Sequence, residues 1–150
     1  YLTIYLIMNL GAFICIMMMK RENIFYEDIS ELSGLSKNHP MIALSFIIIL
    51  FSLAGIPPLA GFFAKFYIFT AVIEANMYML AIIGLLTTVV SAFYYLRIVK
   101  IIYFDKSKNP FDQNDDWGLK LSLIFSSLVI LLYFIYPSLL IDVISSILIY

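Results

Sequence analysis

The stretch FSLAGIPPLAGFFAKFYIF, Phe51 to Phe69, lies inside an apolar run from Met41 to Ile73 whose single charge is Lys65. As one straight helix that run would measure about 50 Å. A bilayer core of ~30 Å makes it too long for one crossing and too short for two. Pro57 and Pro58 supply the resolution. Each proline lacks a backbone N–H and clashes with the carbonyl four residues back, so Leu53 and Ala54 lose their helical acceptor roles. Gly55 adds backbone freedom. The expectation is two half-helices joined by a few unwound residues at Gly55 to Pro58.

Two readings of this break stand at this point. Unwound backbone at membrane depth is tolerated only where it is buried in protein or lines a watery cavity, and discontinuous helices recur at transporter ion sites. A plain proline kink in a packed helix is the other. Lys65 favours the first. Counting back from Ile73 puts its Cα about 12 Å inside the boundary, near the midplane. A charge there costs a few kcal/mol, so by default it faces protein or water. A lysine whose proton affinity changes with its neighbours can accept and release protons, the chemistry of a relay. Against this, a lysine stem can snorkel towards the interface. Ala60, Gly61 and Ala64 permit close approach of another helix.

Outward from this segment the same pattern repeats. Apolar runs cover residues 1–19, 77–104 and 118–149. They exceed the roughly 9–11 residues of a barrel strand and show no strand-like alternation. With 41–73, they predict an all-α integral membrane protein, a single membrane unit over 1–150 with about four transmembrane helices. Composition agrees: of 150 residues, 63% are apolar and 13% charged, and mean hydropathy is +1.01. Soluble chains hold about 45–50% apolar residues and about a quarter charged. An ordinary cytosolic enzyme and a disordered tail are excluded. Lys and Arg number 9 against 10 acids, so no basic excess serves a nucleic acid. One cysteine, Cys15, allows no internal disulfide, and one histidine, His39, makes no metal site alone. No metal is expected.

Eight of the nine basic residues, Lys65 excepted, fall in or beside the first and third loops. The positive-inside rule puts those loops in the cytoplasm or matrix and both chain ends opposite. The first loop, with Ile29, Leu32 and Leu35 among acids, predicts a short surface helix over Tyr26 to Leu35. The third reads as a polar linker; Asp112, Asp115 and Asp116 lack calcium-loop spacing and its terminal Glu. Trp117 stands where an interfacial anchor is expected. Arg97 and Lys100 share a helix face and read as head-group anchors. His39 reads as an interfacial polar residue. Ser52, Ser91, Tyr94 and Tyr95 are candidates to hold water. No partner for Lys65 is evident: Glu74 ends its helix and Asp142 lies near the far end of the last span. The chain opens in mid-span on Tyr1 without a basic n-region, so it reads as a fragment or split-gene product and not as a signal peptide.

YLIMNLGAF (Tyr5 to Phe13), FSLAGIPPLAGFFAKFYIF (Phe51 to Phe69) and VVSAFYYLRIVKIIYF (Val89 to Phe104), in this order and spacing, resemble the antiporter-like membrane subunits of proton-pumping NADH:quinone oxidoreductase, respiratory complex I. Within that family they are similar to the C-terminal part of chain N, whose mitochondrial counterpart is NADH dehydrogenase subunit 2. Phe66 after Lys65 favours this branch, since the sister chains usually carry a glutamate at the lysine or an aspartate after it.

The resemblance implies the last four helices of a fourteen-helix fold with both ends on the periplasmic or intermembrane side. It implies that Lys65 is the relay lysine of the broken helix, and that Gly55, Pro57 and Pro58 form the break. It further implies a translocase subunit that couples electron transfer from NADH to ubiquinone to proton pumping. No cofactor is expected in this chain: FMN, iron–sulfur clusters and quinone sit elsewhere in the complex. Expected partners are other membrane-arm subunits, the N-terminal part of the same subunit, and lipids. The expected location is an inner membrane, mitochondrial in preference to bacterial. The alternative is an Mrp-type cation/proton antiporter subunit. A third reading makes Lys65 a fixed structural counter-charge.

Overall fold

The computed structural model describes the chain apart from residues 22, 23, 27, 108, 109, 113–115, 134 and 136–150. Its order is α1 (Leu2–Met17), a two-residue hairpin β1 (Lys20–Arg21) and β2 (Ile24–Phe25), a 3-10 turn (Ile29–Leu32), α2 (Leu35–Asn38), α3 (Pro40–Ala54), α4 (Ala60–Glu74), α5 (Tyr78–Phe104) and α6 (Trp117–Leu132). The long elements are helices throughout. Among the described residues, α5 is the one helix long and apolar enough to cross a membrane alone. The apolar helices α1, α3 and α6 are shorter. The last apolar run continues past Leu132 into residues outside those described, as do Asp115 and Asp142.

α3 is the centre of the bundle and touches α1, α2, α4, α5 and α6. Its buried face carries Ala43, Phe46, Ile49, Leu50 and Leu53, and Ile49 packs with Met8, Cys15, Ile102 and Ile130 in one apolar core. α5 buries little, only Ala81, Val99 and Ile102 along its length. Its outer face, with Leu86, Val89 and Phe93 exposed, presents the large apolar surface expected of a helix facing lipid or further protein.

The run from Met41 to Ile73 folds as two helices of 15 residues each, α3 and α4, each about 22 Å long. α3 closes where the prolines remove the next donors. Gly55 takes a left-handed φ of 84°; its N–H donates to Ser52 O at 3.0 Å and the Ile56 N–H to Phe51 O at 3.0 Å. This pair of bonds is the Schellman closure that glycine favours. The Pro57–Pro58 peptide is cis. α4 then starts against the end of α3.

The first loop departs from the surface helix expected over Tyr26 to Leu35. The residues instead form the 3-10 turn Ile29–Leu32 and the separate short helix α2. Gly34, at a φ of 68°, stops the helix, and tertiary bonds replace its ladder. The Gly34 N–H donates to Ile101 O at 3.3 Å, and the Ser33 hydroxyl donates to Lys106 O. Arg21 clasps the two basic-side loops. Its guanidinium pairs with Glu31 at 3.3 Å, donates to Pro110 O at 3.3 Å and lies over the Tyr26 and Phe111 rings at 4.8 and 5.2 Å.

Gly61 is the tightest point of the junction. A Cβ built there stands 1.8 Å from the carbonyl oxygen of Ser52, which is backbone and cannot rotate away. Gly61→Ala is expected to separate α3 from α4 and to destabilise the fold by about 1–3 kcal/mol. The check is a lowered thermal midpoint of the protein; an unchanged midpoint would contradict this packing.

Candidate functional site

The proline break leaves specific polar groups to be satisfied, and the site grows from them. The Schellman closure takes the carbonyls of Phe51 and Ser52. The next two, Leu53 and Ala54, are those whose helical donors would have come from Pro57 and Pro58. Lys65, one turn into α4, serves both: its Nζ donates to Leu53 O at 2.9 Å and lies at 3.5 Å from Ala54 O. The lysine thus has partners within this chain, backbone carbonyls in place of the carboxylate for which no candidate was evident. Its side chain bends back across the break, and a Cβ on Gly55 would meet Lys65 Cδ at 3.2 Å.

The opposite end of the junction is satisfied from the other side. The first N–H groups of a helix have no partner within it. The Gly61 N–H finds the hydroxyl of Ser52 on α3 at 2.9 Å, while that hydroxyl donates to the Met8 sulfur on α1 at 3.0 Å. Ser52 is fully buried. It is therefore a fastening between three helices, not a water carrier.

Lys65 lines a cavity of about 260 Å³ shared by α1, α3, α4 and α5. Leu53, Gly61 and Met8 form one part, Thr87, Thr88, Ser91 and Tyr95 the α5 side, and Tyr1 with Tyr5 the side at the start of α1. The Tyr1 and Tyr5 rings stack at 5.7 Å. At about 30 Å³ per water, such a space holds several molecules, and its hydroxyls give them partners.

Of the polar residues singled out from sequence, Lys65, Ser91 and Tyr95 come together here. Tyr94 does not; it is exposed and packs edge-on to Phe93. His39 sits elsewhere, its Nε2 at 3.0 Å from Phe111 O, tying the start of α3 to the third loop. Arg97 and Lys100 are exposed on α5. Asp116 caps α6 by accepting from the Gly118 N–H at 3.0 Å, and Trp117 beside it is 74% exposed. Thr87 and Thr88 were not singled out. Their signal was the spacing of Thr87, Ser91 and Tyr95, which repeats every four residues and puts three hydroxyls on one helix face.

Known proteins carry the same architecture. A family model described as NADH:quinone oxidoreductase/Mrp antiporter, TM, matches residues 1–91. The chain belongs to this family. It is 63% identical over 147 residues to NADH-quinone oxidoreductase subunit N of Pelagibacter ubique, covering 98% of this chain and 31% of that protein. It is 53% identical to the subunit N of Parvibaculum lavamentivorans, over 92% of this chain and 29% of that one. A chain in the structure of respiratory complex I from Thermus thermophilus with bound aureothin superimposes with a TM-score of 0.79 at 25% identity, over 93% of this chain and 33% of its own length. The chain thus spans about a third of the length of these relatives. The relatives are bacterial and lend no support to a mitochondrial membrane.

Gly55 holds both the helix closure and the place of the lysine. Gly55→Ala forces a side chain into the left-handed region at a cost of about 1–2 kcal/mol and presses on the Lys65 stem. The protein is expected to melt earlier. An alanine variant with wild-type melting would contradict the role given to this residue.

Proposed function

We propose that this chain is the C-terminal part of a proton-translocating membrane subunit of respiratory complex I, and that Lys65 carries its proton. The observation that supports this most strongly is the placement of Lys65 Nζ on the two carbonyls freed by the helix break, at the wall of a polar cavity. A protonated lysine has three N–H donors. Two are engaged by Leu53 O and Ala54 O, and the third is available to water in the cavity. After loss of that proton the amine keeps two N–H bonds for the same carbonyls and turns a lone pair to the water. Both charge states therefore keep the break satisfied. A residue that must cycle between them has to meet this condition.

In this reading α3 and α4 are two halves of one discontinuous transmembrane helix within about four spans. The chain forms a single membrane unit with the rest of its subunit and with neighbouring membrane-arm subunits and lipids. The bacterial relatives favour a bacterial plasma membrane over the mitochondrial inner membrane. FMN, iron–sulfur clusters and quinone belong to other chains of the complex, where NADH oxidation and ubiquinone reduction take place. The family description also covers Mrp-type cation/proton antiporters, and carbonyl and hydroxyl oxygens are ligands for sodium too. The subunit N names of the relatives weigh towards complex I.

The test is made in membrane vesicles holding the complete complex. Lys65→Met keeps the length and removes the ionisable group; Lys65→Arg keeps a charge that is not released in proteins. Both are expected to assemble and to lose NADH-driven proton uptake through this subunit by about a hundredfold, the scale of a positioned acid–base group. Normal uptake in the arginine variant with loss in the methionine variant would identify a fixed counter-charge instead. Proton transfer that follows sodium and ignores NADH would transfer the assignment to the antiporter.

A further inference from the structure

Three of the four α5 residues that line the Lys65 cavity turn only acceptors to it; the fourth, Tyr95, keeps a hydroxyl hydrogen. Thr87 Oγ1 and Thr88 Oγ1 both donate to Gly84 O, at 2.8 and 2.9 Å, and Ser91 Oγ donates to Thr87 O at 2.9 Å. A hydroxyl carries one hydrogen and two lone pairs. With the hydrogen given to the backbone, each of these oxygens offers the cavity acceptors only. Back-bonding of this kind is common for Ser and Thr in helices. Here it occurs three times on the face that shares a cavity with a lysine.

We infer that Thr87, Thr88 and Ser91 are positioning residues that orient the cavity water to receive the proton of Lys65. This inference rests on the relay role of Lys65. A water that gives its hydrogens to acceptor-only oxygens must turn its own lone pairs to a donor; the lining offers Lys65 Nζ and the hydroxyls of Tyr1, Tyr5 and Tyr95, and of these the charged ammonium is the stronger donor. In the transfer one N–H bond of the ammonium breaks and one O–H bond forms. The electron pair stays on Nζ, leaving a neutral amine, and the water becomes hydronium. Hydronium has three donors and no useful acceptor, so the same wall stabilises it better than it stabilises neutral water. The proton then passes from the hydronium to a neighbouring water of the cavity.

The complete complex in sealed vesicles serves for the test, with Thr88→Val and Ser91→Ala combined, since the first replaces the hydroxyl by a methyl of similar size and the second removes only the oxygen. NADH-driven proton uptake is expected to fall about tenfold, the factor corresponding to about 1.4 kcal/mol of lost hydrogen bonding in the transfer step, and its slowing in deuterated water is expected to increase. The pair Thr88→Ser with Ser91→Thr, which keeps the hydroxyls, is expected to retain the wild-type rate. Should the double variant fail to assemble, Ser91→Ala alone at its half-buried position gives the same reading. Wild-type uptake without the hydroxyls, beside a defective Lys65→Met, would overturn this inference and leave the lysine relay standing. Equal losses with and without the hydroxyls would assign them to packing and overturn it as well. Wild-type uptake in Lys65→Met would remove the relay and this inference together.

Discussion

Two backbone carbonyls, those of Leu53 and Ala54, govern this structure. Pro57 and Pro58 deprive them of their helical donors, and an unpartnered carbonyl away from water costs free energy comparable to a lost hydrogen bond. Among the described residues the side chain that serves both is Lys65, early in the next helix. The lysine in turn is tolerated within an apolar bundle because those carbonyls and the cavity hydroxyls stand in for its hydration. Each feature would be unfavourable alone, and together they satisfy one another. This mutual dependence explains why a helix-breaking pair and a lone lysine occur eight residues or fewer apart in a chain otherwise selected for apolar packing.

The rest of the bundle holds that arrangement in register. Ser52 joins α1, α3 and α4 through its two hydrogen bonds. Gly61 lets α4 start in contact with the Ser52 backbone. α3 is fixed at its other end, where His39 bonds to the third loop and Arg21 draws the two basic-side loops together. An error of about 1 Å in the distance between α3 and α4 would take Lys65 off its carbonyls, so rigidity on this side keeps the lysine in place at the break. α5 contributes differently. It buries few residues and spends one face on hydroxyls towards the cavity while the other remains apolar.

Much of this was legible in the residues. The prolines identified which carbonyls would be orphaned, hydropathy marked the helices, and a single charge in an apolar run marked Lys65. Two things were hidden. The lysine's partners were backbone groups, and a search for an opposite charge among Glu74 and Asp142 looks past them because carbonyls carry no sequence signature. The first loop read as a surface helix because its apolar residues have helical spacing; tertiary bonds from Gly34 and Ser33 to α5 and the third loop decided otherwise. Ser52 resembled Ser91 in sequence, yet one is locked between helices and the other lines the cavity. Which helix faces meet is a property of packing, and short polar residues do not encode it individually.

The most direct measurement is a map of the native protein at a resolution that shows ordered water, focused on Lys65. The account predicts Nζ within hydrogen-bond distance of the Leu53 and Ala54 carbonyls, with water between it and the Thr88 and Ser91 hydroxyls. A lysine extended towards the membrane boundary, with those carbonyls bonded to other groups and no water in the cavity, would contradict it.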